Sequence, residues 1–171
     1  MTKRGASTKR TKTKPGATDA YAAFMSRAYS MELEATERYT QFAERLEAHD
    51  NDEVAMLFRK LAEIEALHTK RILAEMGWSS LPVLPPAFAW EGSEGPETAP
   101  SGSLRHEMQP YHALEIALRC ELQAQKYFEN IASGAAHVRA AAEEMATEEG
   151  EHVKLIRDWL SRVPRPVSGS G

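Results

Sequence analysis

Leu61-Ala62-Glu63-Ile64-Glu65-Ala66-Leu67-His68-Thr69-Lys70-Arg71-Ile72 and Met145-Ala146-Thr147-Glu148-Glu149-Gly150-Glu151-His152-Val153-Lys154-Leu155-Ile156 are two versions of one pattern. Each sets a large apolar residue and Ala ahead of Glu-x-x-His and closes on Lys-x-Ile. Apolar residues at steps of three and four mark both as amphipathic helices. On a helix, residues three apart lie side by side. Each Glu-x-x-His therefore offers a carboxylate and an imidazole from one face of one helix. Upstream, Glu32-Leu33-x-Ala35 is echoed by Glu121-Leu122-x-Ala124, and each Glu is followed eleven residues later by an alanine, Ala43 or Ala132. The chain thus reads Glu, then Glu-x-x-His, twice over.

A Glu-x-x-His pair alone is a weak signal and needs structural context. The alternating order, the alignment of the halves beyond these residues, and the otherwise apolar stripe around each supply it. One Glu from each of two helices, with a Glu-x-x-His from each of two more, is an established ligand set of two-metal helical bundles. A carboxylate on an apolar stripe is costly to bury unless paired or metal-bound. Four of them repel one another, and two divalent cations balance their charge. Oxygen-rich ligation with one imidazole per metal suits iron or manganese better than a Cys- or His-rich zinc site. The expected ligands are Glu32, Glu65, His68, Glu121, Glu149 and His152. One metal falls to His68 and the other to His152, with Glu65 and Glu149 bridging and Glu32 and Glu121 at the ends. Two iron ions are expected, with manganese or zinc as substitutes.

Four helices follow from the periodicity. The first, about 20 to 48, is capped by Asp19 and turns Phe24, Ala28, Glu32, Ala35, Tyr39, Phe42 and Leu46 inward, leaving Glu34, Glu37, Glu44 and Glu47 to solvent. The second, about 52 to 76, buries Val54, Leu57, Leu61, Glu65, His68 and Ile72, with Gly77 as its C-terminal cap. The third, about 109 to 133, starts with Pro110 in its first turn and buries Leu114, Ala117, Leu118, Glu121, Ala124, Phe128 and Ile131. The fourth, about 135 to 162, buries Val138, Ala142, Met145, Glu149, His152, Ile156 and Leu160. Pro164 and Pro166 end it. Residues 77–105 hold five of the nine prolines and read as a long crossover, its apolar part Leu81–Trp90 lying against the bundle wall. The expected fold is all-α: an antiparallel four-helix bundle over 19–163, with that crossover between helices two and three.

The remaining residues bound the function. Formal net charge is −4, but residues 3–14 hold six Lys and Arg and no acid, so the rest carries −10. Residues 1–18 have almost nothing to bury and are expected to be a disordered basic tail, as 164–171 are a flexible one. The lone Cys120 excludes an internal disulfide and a thiolate zinc site; it is a packed thiol or, less simply, a ligand. No apolar run approaches the roughly 20 residues of a membrane span, and the basic start lacks the apolar stretch of a secretory signal. A cytoplasmic setting is the default. Tyr39 lies on the ligand stripe, either as a core aromatic or as a hydrogen-bond donor to a ligand carboxylate. His49, His106, His112 and His137 are expected at the surface, and Met25, Met31, Met56, Met76 and Met145 in packing.

Glu32-x-x-Ala35-x-x-Arg38-Tyr39-Thr40-x-Phe42-Ala43 resembles the first ligand helix of the rubrerythrins, a branch of the ferritin-like superfamily. Glu65-x-x-His68 and Glu149-x-x-His152 resemble their paired-ligand helices. The likeness spans roughly residues 20–160. It implies a non-haem di-iron oxidoreductase of the oxidative-stress type, oxidising ferrous iron or reducing peroxide or O2, commonly as a cytoplasmic dimer or larger assembly. Two departures stand out. Rubrerythrins carry a further Glu where this chain has Ala124, so its site is closer to the symmetric four-Glu, two-His centres of bacterioferritins. The four-Cys rubredoxin domain typical of the family has no counterpart in a chain with one Cys, so electrons must come from an external donor or from ferrous iron. Other readings are an iron-binding or storage subunit without its own turnover, and a mini-ferritin-like protein using its basic tail on DNA. A solvated tail is the plainer view, and nucleic acid is not an expected partner.

Overall fold

The computed structural model describes residues 17–79 and 109–166. The basic segment up to residue 16, the connection over 80–108 with Leu81–Trp90 and His106, and the tail from 167 lie outside them. The described residues form four helices and no strand: α1 (Ala17–Glu47), α2 (Asp52–Met76), α3 (Pro110–Gly134) and α4 (Arg139–Arg162). They build a ferritin-like four-helix bundle of two helical hairpins. Within each hairpin, α1 with α2 and α3 with α4, the backbones run close along their lengths; between hairpins they approach less.

The helix ends show why the chain turns where it does. Gly77 takes a left-handed φ of 63°, and the N–H groups of Gly77 and Trp78 return to the carbonyls of Ala74 and Leu73. That satisfies two of the four carbonyls a helix terminus leaves without partners. Asp50 closes α1 the same way at φ 57°, with Asp50 N–H on the Glu47 carbonyl and Asn51 N–H on that of Leu46. Asp tolerates this region better than most residues. Pro110 opens α3 at a position where its missing N–H costs nothing. At α4 the helix proper starts at Arg139 rather than 135, because 135–138 form a turn and Arg139 Nε donates to the Ala132 carbonyl, capping α3. Asp19 lies inside α1, which begins at Ala17, and so is not its cap.

The inward stripes of α1, α3 and α4 match their expected residues, with Leu118, Ile131 and Leu160 only partly buried. On α2 the register is corrected by one position: Phe58 is fully buried, stacked near Tyr39 and edge-on to Phe42, while Leu57 is only partly covered. A 54-58-61-65-72 ladder centres the stripe better than one through 57. Met25, Met31 and Met145 pack inside as expected, but Met56 is 66% exposed. Cys120 is a buried thiol in the core.

Two apolar clusters fill the bundle. One gathers Tyr39, Phe42, Phe58, Leu61, Leu114, Ala117 and Ile156; the other Phe24, Met25, Met31, Ile72, Phe128 and Met145. Along every helix the expected ligands stand at the junction of the two: Glu32 after Met31, Glu65 after Leu61, Glu121 before Ala124, Glu149 after Met145. A polar waist thus separates two dry cores.

Candidate metal centre

Each helix delivers one carboxylate to this waist. Glu32, Glu65, Glu121 and Glu149 are all essentially fully buried, and His152 nearly so; the His68 side chain keeps 15% exposure. Because Glu and His stand three apart on α2 and on α4, each pair shares a helical face, and the two imidazoles meet across the hairpins with ring centroids 4.8 Å apart. Both use Nδ1 toward the carboxylates. His68 Nδ1 lies 3.5 Å from Glu32 Oε2; His152 Nδ1 lies 3.1 Å from Glu121 Oε2, 3.3 Å from Glu149 Oε2 and 3.6 Å from Glu65 Oε1.

Two groups emerge in which every residue offers a donor atom within 4.8 Å of the others: Glu32, Glu65 and His68, and Glu65, Glu121 and His152. Glu65 belongs to both. Glu149 falls in neither triad and joins the cluster through His152. All six sequence-derived candidates are therefore brought together.

The electrostatics call for cations. Burial first, then the charges of Glu32 and Glu121, push the Glu149 carboxyl well above the usual carboxylate range. Both oxygens of Glu32 and Nδ1 of His68 are buried without a hydrogen-bond partner, and native interiors seldom leave such groups unsatisfied. Oxygen donors around two imidazoles, poor in internal donors, fit a pair of divalent metals.

The two ends differ. At the His152 end, the Tyr39 hydroxyl donates to Glu121 Oε1 at 3.0 Å, tying α1 to α3. The internal repeat sets Tyr39, seven residues after Glu32, against Phe128, seven after Glu121. Phe128 has no hydroxyl, and Glu32 accordingly lacks the donor that Glu121 enjoys. A second asymmetry was not foreseen from sequence. The Arg71 guanidinium forms a two-pronged ion pair with Glu148, bridging α2 to α4 one turn beyond His68, and feels the charges of Glu144 and Glu32. Neither residue has a like counterpart in the other half, Leu155 answering Arg71 and Ile64 answering Glu148, so the repeat gave no hint of it. His49, His112 and His137 lie at the surface, as expected.

A family model described as Rubrerythrin matches residues 23–80, which carry Glu32, Tyr39, Glu65 and His68. A crystal structure of an uncharacterized conserved protein from Magnetospirillum magnetotacticum MS-1 is 34% identical, covering 85% of this chain and 97% of that one, with a TM-score of 0.66. The chain belongs to the rubrerythrin family. No curated protein matches it. Membership of the rubrerythrin family supports a di-iron protein, and the two carboxylate–histidine groups are where such a chain would hold its metals. At the position of the further glutamate of rubrerythrins, Ala124 is fully buried and brings no donor. Among the described residues no helix is long and apolar enough to cross a membrane.

Proposed function

We propose that this protein is a non-haem di-iron oxidoreductase that oxidises ferrous iron or reduces peroxide or O2 at a site of four Glu and two His. The observation that carries this reading is Glu65, fully buried and shared between a Glu32–His68 group and a Glu121–His152 group. One carboxylate common to two donor sets suits a pair of ions held close together. Two adjacent ferrous ions, when bound, can supply two electrons to one oxidant without releasing a one-electron product.

The chain's own residues do the rest. Glu32 and His68 would hold one metal, Glu121 and His152 the other, with Glu65 and Glu149 between them. Tyr39 orients the Glu121 carboxylate through its hydroxyl, so that end is set before metal arrives. The cores above and below the waist exclude water. His68, with 15% of its side chain exposed, is the least covered of the six and marks the side from which small reactants would enter. Electrons for repeated turnover come from an external donor or from ferrous iron itself.

Anaerobic titration with ferrous iron, followed by O2 or peroxide, tests this. About two ferrous ions per chain and a ferric absorption that grows with oxidant are expected. Loss of both in Glu65→Ala with His68→Ala is the second expectation. Binding of a single ion, or oxidation unchanged in the double variant, would refute the reading.

A further inference from the structure

The two candidate metal groups are built differently across the bundle. Glu65, Glu121 and His152 come from α2, α3 and α4, so that group already spans both hairpins. Glu32, Glu65 and His68 all come from α1 and α2, so the His68 group stands on one hairpin alone. The carboxylate that would join it from the other hairpin is Glu149 on α4. Its Oε2 lies 3.3 Å from His152 Nδ1, yet among the charges around it that of Glu32 acts most strongly, ahead of that of Glu121. Glu149 is therefore poised between the two groups, and its reach toward Glu32 and His68 depends on how closely α4 is held to α2. The backbones of the two hairpins approach less than those within a hairpin, so side chains set that spacing.

Arg71 and Glu148 set it next to the site. The His68 and His152 rings, 4.8 Å apart, form one layer across the hairpins. Three residues on along α2 and four back along α4, Arg71 and Glu148 form the next, Nη1 and Nη2 donating to the two carboxylate oxygens. Arg71 thus shares a face of α2 with His68, and Glu148 adjoins Glu149 in the chain. Arg59 with Glu47 and Arg162 with Asp158 pair within one hairpin and cannot do this. A planar guanidinium gripping a carboxylate by both oxygens fixes distance and orientation together. We infer that Arg71 is a positioning residue of the His68 half: clamped to Glu148, it holds α4 against α2 so that Glu149 can serve the Glu32–His68 group. This rests on the two-metal reading above and deepens it. At the repeat-equivalent positions of the other half stand half-buried Ile64 and Leu155, which carry no charge. That half needs no such clamp, because its own three donors cross between the hairpins.

The test is chelator-competition titration of the full, metal-free chain with cobalt(II), followed by its visible absorption. His68→Ala and His152→Ala variants assign the two halves, and helicity confirms that each variant folds. Arg71→Gln is expected to weaken the His68 half about tenfold and to leave the Glu121–His152 half unchanged. Charge alone predicts the reverse, since removing a cation tightens metal binding; adding Glu148→Gln would then return the natural affinity. A clamp predicts instead that the double variant matches Arg71→Gln, because either change opens the same contact. Binding that is unchanged or tighter in Arg71→Gln, a loss shared equally by both halves, or natural affinity in the double variant overturns the inference. A chain that takes up no cobalt sinks the metal reading and this one with it. One that takes up two ions, with Arg71→Gln indifferent, sinks the clamp alone.

Discussion

Replacing Tyr39 by Phe removes one oxygen and leaves everything else in place. The ring keeps its volume and its stacking beside Phe58, at 5.8 Å between centroids. What disappears is the 3.0 Å hydrogen bond to Glu121 Oε1, leaving that buried oxygen without the hydroxyl, while His152 still faces Oε2 at 3.1 Å. A hydrogen bond to a charged group contributes about 1.5–3 kcal/mol. With a urea slope of about 1–3 kcal/mol per molar, the unfolding midpoint of the metal-free variant should fall by roughly 1 M. Losing a partner that orients a ligand costs about 10- to 100-fold in metal affinity. That loss should fall on the Glu121–His152 half, so the affinity of that half drops while that of the Glu32–His68 half, which has no such hydroxyl, stays as it was. Chelator-competition titrations beside urea melts would read both numbers. The reciprocal change, Phe128→Tyr, places a hydroxyl at the repeat-equivalent position and is expected to tighten the Glu32–His68 half. The reasoning is refuted if Tyr39→Phe shifts the metal-free unfolding free energy by less than about 0.5 kcal/mol and leaves both affinities unchanged.

Two further expectations follow from the waist and the core beside it. Glu149 holds its proton more tightly folded than unfolded, so its contribution to stability is present below the ordinary carboxylate pKa and lost as pH rises through the raised value. In that window metal-free protein should lose up to about 1.4 kcal/mol per pH unit relative to Glu149→Gln; thermal melts in chelator from pH 4 upward would read it, and parallel curves would count against the buried carboxylate. Phe58→Ala opens a cavity in a fully buried spot and should cost about 3–5 kcal/mol in urea melts, whereas Leu57→Ala, at the partly covered neighbour, should cost much less.

Much of the architecture is legible in the chain because helical periodicity is local. A carboxylate amid apolar residues at steps of three and four must face inward on any helix that packs, so Glu32, Glu65, Glu121 and Glu149 could be placed one per helix from order alone. Gly77 and Pro110 announced their helix ends for equally local reasons. Local pattern fails where two neighbours both fit the edge of a stripe: Leu57 and Phe58 differ by only 100° around α2, and packing against Tyr39 and Phe42 chose Phe58. It fails again for Met56, an apolar side chain that no neighbouring helix covers.

The amino-acid sequence by itself determined four amphipathic helices, their order, and a repeated set of six donors on their inner faces. Only the tertiary structure decided that, of the two carboxylates expected to bridge, Glu65 is common to both donor groups and Glu149 belongs to neither, that Tyr39 serves Glu121 across 82 positions of chain, and that Arg71 locks to Glu148. Those contacts cross between hairpins. They depend on how far apart and at what rotation the two helical pairs meet, and side-chain spacing along one helix carries no record of that distance or rotation.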